Sequence, residues 1–69
     1  MTRETETRVI EMFWDHLKGW DWDSWSGTSV SDKEEIAVDV IAELGIVDVD
    51  EVYDLFYDWC AGITEESFN

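Results

Sequence analysis

Three stretches of this chain space their apolar residues at helical period, and with no proline anywhere each can run unbroken. In ETETRVIEMFWDHLKGW, Val9, Ile10, Phe13, Trp14 and Leu17 form one stripe, with Glu4, Glu11 and Asp15 on the opposite side. Gly19 is placed to stop this helix in a left-handed turn, letting Trp20 fold back onto Trp14 or Leu17 as a core plug. In SDKEEIAVDVIAELGI, Ser31 and Glu34 have the spacing of a capping box, and Ile36, Ala37, Val40, Ile41 and Leu44 make the apolar face. Gly45 is the stop, with Ile46 placed to touch Ile41. In DVDEVYDLFYDWCAGI, Asp48 and Glu51 repeat the capping spacing, while Val49, Val52, Tyr53, Phe56, Cys60 and Ile63 share a face. Asp50, Glu51, Asp54 and Asp58 take the other face.

The expected fold is therefore all-α: one small three-helix domain across residues 1–69. Its helices should cover about 3–18, 31–44 and 48–62, with one long Trp-rich loop over 19–30. A single short helical turn inside DWDSW is compatible with that loop.

Within 69 residues there are 18 acidic side chains and four basic ones, a formal net charge of −14. Self-repulsion on that scale opposes compaction, so the acids call for a reason. The sign argues against direct binding of DNA, RNA or an anionic membrane. It favours a basic partner surface. No apolar run approaches the ~20 residues needed to span a bilayer, and the opening MTRETETR is too polar for a signal peptide. A lone cysteine, Cys60, permits no internal disulfide and fits a reducing compartment. The expected location is the cytoplasm, that of the host cell if the chain is phage-encoded.

Chemistry-bearing motifs are scarce. Asp21, Asp23 and Asp32 match three ligand positions of an EF-hand loop, but Trp25, Ser26 and the missing final Glu break the pattern. His16 and Cys60 are too few for zinc, and Cys60 sits on an apolar stripe as a small core residue would. No phosphate loop, nucleophile elbow or metal box occurs. We therefore expect no cofactor, no metal site and no enzymatic activity.

The arrangement of the acids is more informative. Glu35, Asp39 and Glu43 stand at i, i+4 and i+8 on the second helix, as do Asp50, Asp54 and Asp58 on the third. Each like-charged pair at that spacing costs ~0.2–0.5 kcal/mol. Glu43 and Asp58 also oppose the macrodipole at helix C-termini. Carboxylates ~6 Å apart along a row approach the charge density of a nucleic-acid strand, about one per 3.4 Å. In size, charge and helical rows the chain is similar to phage-encoded DNA mimics, a class that includes inhibitors of restriction enzymes, repair glycosylases and CRISPR effectors. That likeness implies a small inhibitor or adaptor occupying the basic site of a nucleic-acid-handling protein.

Trp22 and Trp25, in the GWDWDSWSG stretch, have no place on the helical stripes, and Trp59 lies on the flank of its helix. Either they are partner-binding anchors among the carboxylates, or they cover the open end of the core. Two other readings of the acids compete. A halophile's protein would use them for hydration at high salt, although five tryptophans and only three alanines fit that adaptation poorly. An antitoxin-like partner or subunit, folding against another chain, would also explain exposed aromatics.

Overall fold

The computed structural model describes residues 1–68. Four α-helices follow in order: α1 (Arg3–Leu17), α2 (Trp22–Gly27), α3 (Val30–Leu44) and α4 (Val49–Ala61), then a 3-10 turn at Glu65–Phe68. No strand occurs among the described residues, and the class is all-α. The three long helices each pack against the other two. Their shared core takes Val9, Phe13 and Leu17 from α1, Ile36, Ala37 and Val40 from α3, and Val52, Phe56 and Trp59 from α4. Val9, Phe13 and Leu17 are spaced at i, i+4 and i+8, so one line of α1 meets the other helices. At the centre, Phe13 meets Phe56 edge-on at 5.6 Å.

The stretch 19–30 departs from the expected long loop. Asp21 caps a six-residue helix by accepting the Ser24 N–H at 2.7 Å, which turns WDSWSG into α2. That hydrogen bond holds the Asp21 carboxyl below its ordinary pKa. The pull of Trp25 into the core does the rest, since a helix this short has little stability of its own.

Helix ends differ from expectation in three places. α3 starts two residues earlier than the capping-box spacing implies: Ser29, not Ser31, is the cap, accepting the Asp32 N–H at 3.3 Å. We therefore expect Ser29→Ala to cost about 1 kcal/mol in chemical denaturation while Ser31→Ala costs far less. Gly19 does not adopt a left-handed turn, because Gly45 alone has positive φ among the described residues. Instead α1 tightens into i→i−3 bonds, with Lys18, Gly19 and Trp20 donating to Asp15, His16 and Leu17 carbonyls. Asp48 makes no side-chain cap, and its carboxylate with that of Glu51 faces the Met1 amino group, at 3.9 and 2.9 Å. The stop at Gly45 is as expected, with φ 64° and the Ile46 N–H bonded to the Ile41 carbonyl.

Two stripe residues are also misplaced by periodicity. Trp14 is 41% exposed because Phe13 already fills the central line of α1, leaving Trp14 at the rim against the ring of Trp59. Val49 is exposed in the first turn of α4, where few neighbours reach it.

Candidate functional surface

The structure places all six row carboxylates (Glu35, Asp39, Glu43, Asp50, Asp54 and Asp58) in solvent. Among the described residues only Glu43 has a cation near it, His16 Nε2 at 3.8 Å. The cations lie elsewhere. Arg3 and Arg8 are on α1, Lys18 is paired with Asp15 at 3.1 Å, and Lys33 sits over the Trp25 ring at 4.2 Å. From Glu34 to the last residue there are eleven acids and no Lys, Arg or His. Most of α3, and α4 beyond its first turn where the Met1 amino group pairs with Glu51, therefore present a field of one sign.

The two rows do not lie on one face. Four residues exceed a helical turn of 3.6, so each i+4 step drifts about 40° around the axis. The α3 row thus turns towards α1, where Glu43 meets His16. The α4 row runs beside Tyr53 and Tyr57, which stand three residues after Asp50 and Asp54 and so share their side. Tyr57 donates its hydroxyl to Glu34 Oε1 at 2.5 Å, tying α4 to α3 across this surface. That hydrogen bond to a carboxylate raises the Tyr57 pKa, so the phenol stays protonated as a donor. The rings of Tyr53 and Tyr57 lie 6.4 Å apart. Val38, one turn beyond Glu34 on α3, is exposed. The surface is thus a line of three carboxylates next to two tyrosines.

Periodicity places Tyr53 on the core stripe, where it packs half-buried, gives Glu34 only a capping-box place beside Ser31, and offers no role for Tyr57. The spacing of Tyr57 three residues beyond Asp54 was the available signal. Its partner Glu34 lies 23 residues away, beyond any local pattern.

The tryptophans resolve differently from the acids. Trp25 is 3% exposed and Trp59 9%, so both belong to the core and neither is an exposed anchor. Trp25 meets Trp20 at 5.3 Å, Trp59 at 5.7 Å and Phe68 at 6.2 Å. Trp22 is half-buried against Phe68 at 5.9 Å. The buried Trp59 Nε1–H has no hydrogen-bond acceptor among the described residues. Its perpendicular neighbours Trp14 and Trp25 offer ring surfaces instead, at best weak acceptors.

Cys60 is half-buried, and desolvation pushes its thiol up to about 11 against a small opposing effect of Lys33. At that value almost no thiolate forms near neutral pH, which makes it a poor nucleophile. The Asp21 carboxylate of the EF-hand-like spacing is committed to the Ser24 N–H. No family model, curated protein or solved structure matches the chain.

Proposed function

We propose that this protein is a small acidic inhibitor or adaptor that mimics nucleic acid, presenting the outer face of α4 to the basic site of a nucleic-acid-handling protein. The observation that carries this reading is the row Asp50, Asp54 and Asp58, exposed on one helix with no cation among the described residues within ion-pairing distance. Such a row keeps a counterion atmosphere, which a basic groove would release on binding as it does from a nucleic-acid strand. A surface that served solubility alone would intersperse Lys with Glu and avoid the like-charge penalty. Tyr53 and Tyr57 add flat, partly apolar contact area beside the charges. In this reading the chain is a phage or mobile-element product acting in the host cytoplasm, with targets of the restriction, CRISPR or repair type. It performs no catalysis and contacts no nucleic acid itself.

The test begins with tagged protein captured from host lysate at moderate salt. Each retained partner is then titrated in the presence of its own DNA or RNA. Nucleic acid and this protein should exclude each other, and log affinity should fall linearly with log salt. Simultaneous binding of both, or an affinity indifferent to salt, overturns the proposal. The halophile alternative is met by the same preparation, since it requires an unfolded chain at 0.1 M salt, where charges are screened beyond about 10 Å.

A further inference from the structure

A recess of about 350 Å³ opens between the end of α1 and the 3-10 turn, lined by Trp14, Leu17, Lys18, Trp20, Ser67 and Phe68. Three aromatic residues line this one opening, and Trp14 is among the most solvent-exposed aromatics of the chain. The rings are also held in place. Trp14 stands perpendicular to buried Trp59 at 5.6 Å, and Trp20 is nearly perpendicular to buried Trp25 at 5.3 Å. Phe68 packs between Trp22 and Trp25. A second layer of rings thus preforms the wall, so a ligand would spend little free energy ordering it.

An aromatic recess can take a nucleobase, an apolar side chain of another copy, or a cation. Charge decides among them. A net charge of −14 repels both nucleic acid and a second copy of the chain. The same charge attracts a cation, and Glu66 adjoins the lining residue Ser67 in sequence. The one lining cation, Lys18, has its ammonium 3.1 Å from the Asp15 carboxylate, which offsets its repulsion. Among cationic side chains, arginine suits such walls best, because its flat, weakly hydrated guanidinium stacks on rings where a lysine ammonium keeps its water. We propose that this recess is a docking site for an arginine side chain presented by a basic protein partner. The assignment stands on different residues from the α4 row and does not require that the partner handle nucleic acid.

The site can be tested without knowing the partner. The full chain, labelled with 15N, is titrated with a capped Gly-Arg-Gly-Arg-Gly peptide, and the indole N–H resonances are followed by NMR. Parallel titrations use the same peptide with lysine, and with uncharged citrulline, in place of arginine. The arginine peptide should shift the Trp14 and Trp20 indole signals saturably, about threefold or more tighter than the lysine peptide. Citrulline should give no saturable shift. Trp14→Ala should erase the preference for arginine over lysine, and Trp14→Phe should keep much of it. Should Trp14→Ala melt below the working temperature, Trp14→Leu supplies an apolar variant without the ring. Asp54→Lys, which leaves the residues lining the recess unchanged, should keep the saturable indole shifts and weaken the peptide only through the two-charge change in the summed field. Equal binding of arginine and lysine peptides with shifts confined to α3 and α4 amides would mean bulk charge attraction, and overturns the proposal. Citrulline binding as well as arginine overturns it too.

Discussion

Trp25→Ala is expected to leave the chain unfolded at 25 °C, with the loss of its helical circular dichroism and of any cooperative melting transition. Trp25 is the hub of the aromatic end of the bundle. It is 3% exposed and touches the rings of Trp20, Trp59 and Phe68, while the Lys33 ammonium covers its face at 4.2 Å. Truncating a buried Trp costs about 3–5 kcal/mol through lost transfer energy and the cavity left behind. A domain of this size rarely has more than about 3–5 kcal/mol in total. The loss therefore matches or exceeds what is available. Trp25→Phe keeps much of the apolar area and should fold with a lowered Tm. Trp14→Ala, at an exposed rim position, should fold with a far smaller change. A Trp25→Ala protein that melts within a few degrees of the parent would show that α2 is packed more loosely than its burial implies.

The reason for three tryptophans in GWDWDSWSG follows from the same contacts. Trp20, Trp22 and Trp25 close one end of the helical bundle, together with Phe68 from the far end of the chain. That closure was only half legible in the sequence. Val9, Phe13, Ile36, Ala37, Val40, Val52 and Phe56 follow helical period because a single helix face meets its neighbours, and all of them lie in the core. Gly45 was legible because a left-handed stop favours glycine. A six-residue helix is too short to show a period, so α2 could be read only from its cap, Asp21 with the Ser24 N–H. Ser29 and Ser31 both precede the same apolar run, and spacing alone could not choose between them. The exposure of the acidic rows was legible from their position opposite the apolar stripes. Their separation onto two faces was not, because it depends on how each helix is turned in the bundle, which shows only in long-range contacts such as Glu43 with His16 and Tyr57 with Glu34.

That separation makes the two rows unequal, and charge reversal should reveal it. Asp54→Lys is expected to keep or slightly raise stability, since it converts repulsions with Asp50 and Asp58 into i, i+4 attractions worth ~0.2–0.5 kcal/mol each. Asp39→Lys should be equally harmless to the fold, lying between Glu35 and Glu43 on α3. Their effects on partner binding should diverge. Asp54 lies in the middle of the α4 row beside Tyr57, where the proposed contact is made, whereas the α3 row turns towards α1 and His16. Both variants reduce the summed field by the same two charges, so a purely global effect would weaken both alike. A local contact predicts that Asp54→Lys lowers the association rate about tenfold and also speeds dissociation, while Asp39→Lys lowers association more modestly. At roughly 1 M salt, where screening acts within about 3 Å, the association-rate differences should largely close. Surface-based kinetics at several salt concentrations, alongside thermal unfolding of each variant, measures all of these quantities. Equal rates for the two variants would move the contact off α4, and an unfolded Asp54→Lys would mean that the acids support the fold. If neither reversal changes binding, the acidic rows are not the recognition surface.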